Sequence, residues 1–200
     1  LADGLVFDPA SVTATTIRDE DEYAGVRVKL IATLGTARLT VGMDVNFGDP
    51  IWPAPQLIEL PPVTDLGLPP VTLLGYPLTM VLAEKLVTAV DRGAASTRWR
   101  DFADVYTLIR LHSVDAGELR TSIETVAEYR KVTLAPLLPT LASMNERAQQ
   151  KYRAWRTRAH REGELPAAFT DVLAAVAGFA DLVLSSTARG QWNPRLHAWE

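Results

Sequence analysis

The chain has 200 residues, enough for one large domain or two small ones, and its 48% hydrophobic and 22% charged residues exclude a largely disordered protein. It has no cysteine, which excludes disulfides and thiolate metal sites, and only three scattered histidines, His112, His160 and His197, which leave little for a histidine metal centre. The net charge of −4 does not suggest a globally basic nucleic-acid binder but leaves a local basic patch open; no apolar run reaches the ~18 residues of a membrane span, and no signal peptide is visible at Leu1-Ala2-Asp3-Gly4.

In chain order, β patterns come first. Val26 to Leu34 begins with apolar/charged alternation, as in a half-buried strand. Leu34-Gly35-Thr36 suits a hairpin connection, and Ala37 to Phe47 alternates again. Its apolar members Leu39, Val41, Met43, Val45 and Phe47 share one face, and Asp44 lies on the other. From Asp49 to Pro70 the prolines Pro50, Pro53, Pro55, Pro61, Pro62, Pro69 and Pro70 remove backbone donors and fix φ, which predicts an extended excursion.

After Pro77 the period becomes helical. Leu78, Val81, Leu82, Leu86 and Ala89 form one apolar stripe, and Gly93 closes the helix. Further helices are predicted from about Trp99 to His112, Ala116 to Arg130, Pro139 to Arg161 and Ala167 to Ser185, with an irregular tail from Gly190 to Glu200. The expected architecture is α+β, with a β-rich part over residues 1–76 and a helical part over 77–200.

Four constellations could carry chemistry. Asp44-Val45-Asn46-Phe47-Gly48-Asp49 ends a strand with carboxylates that could hold Mg²⁺, a hard ion that takes oxygen ligands; an ordinary strand-to-turn transition explains the same residues. Lys85 sits at the edge of the apolar stripe, where it either snorkels to water or holds a phosphate. Arg98-Trp99-Arg100-Asp101-Phe102-Ala103-Asp104 places two carboxylates at i and i+3 in a first helical turn, either as caps or as a site, and the arginines could hold them or a phosphate. From Arg147 to Arg161 the chain carries Arg147, Lys151, Arg153, Arg156, Arg158 and Arg161 with no acidic residue between, interleaved with Tyr152, Trp155 and His160. That is a polyanion grip with stacking aromatics, or a solvated helix face.

Five stretches together resemble a known family. They are Asp3 to Pro9, Tyr23 to Val28, Asp44 to Asp49, Leu82 to Leu86 and Arg98 to Tyr106, in the family's order. The chain resembles the AbiEii family, the nucleotidyltransferase-like toxins of bacterial type IV toxin–antitoxin systems, MenT-like toxins among them. The resemblance implies a nucleotidyltransferase mixed-sheet core followed by helices, and Mg²⁺-dependent transfer of a nucleotide from an NTP to an acceptor such as the tRNA 3′ end. It implies a cytoplasmic protein with a cognate antitoxin and no membrane partner. Asp44 and Asp49 match the family's Asp-x-x-x-Gly-Asp element and would hold the metal. Lys85 and Asp101 would be catalytic, and Arg98, Arg100 and Asp104 would bind nucleotide, with Arg100 where the family usually has Lys. Arg147, Lys151, Arg158 and Arg161 are the expected RNA contacts.

Such families also place a Gly-Ser turn and an Asp-x-Asp pair upstream of these motifs. None precedes Leu1-Ala2-Asp3-Gly4, so the expectation is a core lacking that segment. The alternatives are a non-catalytic remnant or binding module of the same fold, or a kinase-like toxin that uses an NTP on a protein.

Overall fold

The computed structural model describes residues 4–17, 25–48, 50–63, 67, 69–93, 98–141 and 146–200. The chain divides into two compact units, Leu1–Asp49 and Pro50–Glu200.

The first unit is an antiparallel sheet in the order β1 (Leu5–Ile17), β2 (Gly25–Leu34), β3 (Ala37–Asn46). The β2–β3 hairpin follows the predicted alternation, and Leu34 pairs with Ala37 across Gly35-Thr36. Gly35 has φ 58°, the left-handed conformation that a two-residue hairpin turn reserves for glycine. The register puts Arg27 opposite Asp44 and Val28 opposite Met43, so charged and apolar residues fall on opposite faces. Sequence periodicity missed β1 because Pro9 interrupts it. The register shifts between Asp8 and Thr13, where proline has no N–H to give the ladder. There Ala10 N donates to Asp8 Oδ1, and the Ser11 hydroxyl donates to Asp8 O while accepting from Ile31 N at 2.8 Å. The expected half-burial needs correcting on β3: Leu39, Met43 and Phe47 are exposed, because a single-layer sheet has no second layer of its own to cover either face.

The second unit begins with a hairpin, β4 (Gln56–Leu60) and β5 (Val71–Gly75), inside the proline-rich stretch. Prolines flank these strands and do not enter them. Then come α1 (Leu78–Arg92), α2 (Trp99–Leu111), α3 (Ala116–Arg130), α4 (Leu137–Leu141), α5 (Glu146–Arg158) and α6 (Phe169–Leu184). The α1 stripe buries Leu82, Leu86 and Ala89 as its spacing predicts, and Gly93 donates its N–H to Ala89 O at the helix end. Asp115 caps α3, accepting Glu118 N at 2.8 Å. The most apolar helix, α6, lies at the centre. It packs on α2, α3, α4 and α5 and buries Val172, Val176, Phe179 and Ala180.

The helix expected from Pro139 to Arg161 begins earlier, at Leu137 in α4, and continues in α5; residues 142–145 between the two lie outside the described residues. The second piece ends at Arg158, where His160 adopts φ 54° and Arg161 N closes on Arg156 O. The tail is not irregular. β7 (Gln191–Asn193) and β8 (Ala198–Trp199) pair with each other, and β7 pairs with β6 (Val114–Asp115). Strands of two and three residues are too short for alternation to reveal. Trp192 and Trp199 anchor them, both packed on Phe179.

Candidate active site

Lys85 follows Leu82 by three residues and precedes Ala89 by four, so α1's buried stripe carries the lysine stem toward α2. Its Nζ donates to Asp101 Oδ1 and to Asp104 Oδ2, both at 2.9 Å. The two carboxylates stand at i and i+3 on the first turns of α2, one face and one turn apart, and would repel without the shared ammonium. Asp101 has a second cation: Arg98 Nε donates to its Oδ2 at 2.6 Å. The lysine and Asp101 side chains are only 21% and 14% exposed, whereas Asp104 is 43% exposed, so the cluster is closed at Asp101 and open at Asp104.

Partial burial acts most strongly on Lys85 and opposes its charge. The hydrogen bonds and charges of Asp104 and Asp101 together outweigh it and hold the ammonium above the usual lysine pKa. Lys85 is therefore a fixed cation at neutral pH and neither a base nor a nucleophile. Two of its three N–H groups are spent on the carboxylates. Among the described residues the third has no acceptor, and Asp104 Oδ1 has no donor.

Arg100 does not join the cluster. Its guanidinium lies 5.1 Å from the Trp99 ring centroid, and Trp99 packs edge-on against Trp155 and Tyr152. Periodicity also passed over Glu84 and Arg130. Arg130 Nη2 donates to Glu84 Oε2 at 2.7 Å and Nη1 to Thr88 Oγ1, tying α3 to α1 beside Lys85. The polar pair Glu84 and Thr88, one turn apart on α1, was the available signal.

Asp44 belongs to the first unit. Arg27 grips it in a bidentate pair, Nε to Oδ1 at 2.6 Å and Nη2 to Oδ2 at 2.7 Å, across directly opposed strand positions. Asp49 lies outside the described residues. Among the described residues no three acids or histidines gather as a metal site. With both oxygens engaged by Arg27, Asp44 does not fit a Mg²⁺ ligand in this arrangement.

The basic segment forms α5 and the turn after it. Lys151 and Arg158 are exposed and lie seven residues apart on one side of the helix. The side chain of Arg147 lies outside the described residues. Arg161 is committed inward, to Glu164 Oε2 at 2.8 Å and Thr107 Oγ1 at 3.1 Å. Arg156 donates to Leu165 O and Glu162 O. The aromatics read as stacking candidates are packing instead. Tyr152 is fully buried with its hydroxyl on Pro166 O, and Trp155 lies on Trp99.

Antiparallel sheets, a helical part and a lysine cluster on paired carboxylates define a nucleotidyltransferase-like α+β protein. The model of the family described as nucleotidyl transferase AbiEii toxin, type IV TA system, matches residues 2–175, and the chain belongs to that family. Comparisons with curated proteins and with solved structures give no significant match. Among the described residues no helix is long and apolar enough to cross a membrane.

Proposed function

We propose that this toxin transfers a nucleotide from an NTP to the 3′ end of tRNA and so blocks translation. The observation that carries the reading is the Lys85 ammonium, fixed by Asp101 and Asp104 with one N–H unspent among the described residues. In the reaction a 3′ hydroxyl attacks the α-phosphorus in line. A new P–O bond forms, the bond to the α–β bridging oxygen breaks, pyrophosphate leaves, and the hydroxyl's proton passes to solvent.

Each residue has a stated part. The third N–H of Lys85 meets a non-bridging phosphate oxygen, where negative charge builds in the transition state. Asp101, saturated by Lys85 and Arg98, is a positioning residue that aims the ammonium; it has no lone oxygen with which to act as a base. Asp104, its side chain 43% exposed and one oxygen unengaged among the described residues, faces the nucleotide's sugar or base donors. Arg98 and Arg100 add positive charge beside the same turn. A divalent ion such as Mg²⁺ supplies charge neutralisation on the triphosphate in this reaction class, although the described carboxylates do not assemble a site for it. Lys151 and Arg158, with Arg147 of the same basic run, contact RNA phosphates, while Arg161 holds the turn after α5 in place. A cognate antitoxin and a cytoplasmic setting complete the reading.

The test is incubation of the protein with total tRNA and each labelled NTP in turn. Label on tRNA with one NTP, lost in Lys85→Ala, supports the proposal. Label on a protein, or a transferred mass equal to one phosphate, overturns it in favour of a kinase-like toxin. No transfer with any NTP overturns it in favour of a binding module.

A further inference from the structure

A second concavity lies at the far end of α2 from Asp101. It is a cavity of about 160 Å³ lined by Tyr106, Ile109, Arg110, Ala175, Gly178, Trp192 and His197. Nine residues separate Asp101 from Arg110, roughly 14 Å along a helix. The floor is apolar. Ile109 and Trp192 are buried, and the Trp192 indole N–H is spent on Ile109 O at 2.7 Å, so the ring offers the cavity only its carbon surface. The α6 wall is low because Ala175 and Gly178 leave room, and a Cβ built on Gly178 would meet nothing within 4 Å.

The rim is cationic. Arg110 lies over the Tyr106 ring at 5.4 Å and donates Nη1 to His197 Nε2 at 3.0 Å. Nε2 can accept only if the imidazole is neutral, with its proton on Nδ1. Among the described residues Arg110 pairs with no carboxylate, so the rim carries one positive charge that no described acid neutralises. His197 is held there by its backbone: it sits at φ 53°, and its N–H closes on Asn193 O in the β7–β8 turn.

The geometry points to a binding site for a small aromatic carboxylate. An enclosed apolar cavity of about 150 Å³ takes one benzene ring, so this half-open concavity has room for a ligand body of at least that scale. A single guanidinium beside a neutral imidazole matches a monoanion, and the planar fork suits a carboxylate. A phosphate dianion would call for a second cation. The ring lies between Trp192 and the Ala175–Gly178 wall, and the carboxylate takes the Arg110 N–H groups that His197 leaves unused. This site is separate from the Lys85 cluster and does not depend on the nucleotide reaction.

Benzoate is the probe, titrated into the full chain and followed by ¹H–¹⁵N correlation spectra. Saturable shifts are expected at the Trp192 indole N–H and at the Ala175 and Gly178 amides. Benzamide, of the same shape but neutral, should bind at least about ten-fold more weakly, and so should benzoate to Arg110→Gln. Gly178→Leu fills the cavity at a helical position that tolerates a side chain, so it should keep the parent melting temperature and lose the shifts. No saturable shift at those groups up to about 20 mM overturns the site, given the affinity one ring can reach. Equal binding of benzamide overturns the anion reading, and unchanged binding to folded Gly178→Leu overturns the location.

Discussion

Lys85 and Asp101 lie 16 positions apart in the chain and on different helices, yet Nζ and Oδ1 meet at 2.9 Å. That contact fixes the first turn of α2 against the middle of α1. The charge cluster is therefore both a candidate site and a helix–helix tie, and substitutions within it separate the two roles.

Lys85→Ala removes the shared cation and leaves Asp101 held by Arg98 alone. Nucleotide transfer should fall by at least about 100-fold, the scale of losing a charge-stabilising donor. Stability should fall by about 2 kcal/mol, the scale of hydrogen bonds to charged groups. Initial rates with labelled NTP and a urea melt check the two numbers separately.

Asp101→Asn and Asp104→Asn should differ in kind. Asp101 is nearly enclosed and accepts from two cations, so its amide should cost about 2–3 kcal/mol in a urea melt. Asp104 is 43% exposed with one ion pair, so its amide should cost less than about 1 kcal/mol while raising KM for the NTP. Equal stability losses would place Asp104 in the tie and not at the nucleotide.

The Lys85 pKa is raised in the folded protein, so the sign of its linkage to stability is set. Its contribution is fully present below the unfolded lysine value of about 10.4 and is lost as pH rises through the higher folded value. The stability gap between the parent and Lys85→Met should therefore be flat from neutral pH to about pH 10 and shrink above it. Urea midpoints across that range measure it. A gap that shrinks near neutrality would mean the ammonium is not held by the two aspartates.

The basic segment should divide under mutation. Lys151→Ala with Arg158→Ala should weaken RNA binding at every sequence and lower the salt slope by up to about one unit for each phosphate no longer neutralised, without changing the melting temperature. Arg161→Ala should instead lower the melting temperature, because Arg161 ties the turn after α5 to Glu164 and to Thr107 of α2. Filter binding at several salt concentrations, beside thermal melts, separates the groups.

Much of this arrangement was legible in the sequence where one side chain per turn or per pleat carries the signal. The stripe from Leu78 to Ala89 put Lys85 on an inward edge, and the spacing of Asp101 and Asp104 put both carboxylates on one face. Their meeting bears this out. Arg98 and Arg100 looked equivalent, and only packing distinguishes them: one reaches a carboxylate, the other lies against an indole. The aromatic residues of the basic segment misled, because a helix rich in arginine still buries a face, and Tyr152 and Trp155 are that face. The pocket around Arg110 and His197 left no trace in spacing, since 87 positions separate the two residues and a two-strand turn brings them together.

The aromatic packing also makes α2 optically readable at both ends. Trp99, two residues before Asp101, sits 5.1 Å from Trp155 at 63°, and Trp192, bonded to Ile109 near the helix's other end, sits 5.5 Å from Trp199 at 64°. Close, angled indoles couple their transitions, so each pair should give a near-ultraviolet circular dichroism couplet. Replacing Trp192 and Trp199 with Phe silences one couplet and leaves the other as an unlabelled reporter of order in the turn that carries Asp101. Replacing Trp155 does the converse. The variant lacking the Trp192–Trp199 pair then reports nucleotide titrations, and the Trp155 variant, which keeps the Trp192 floor of the cavity, reports carboxylate titrations.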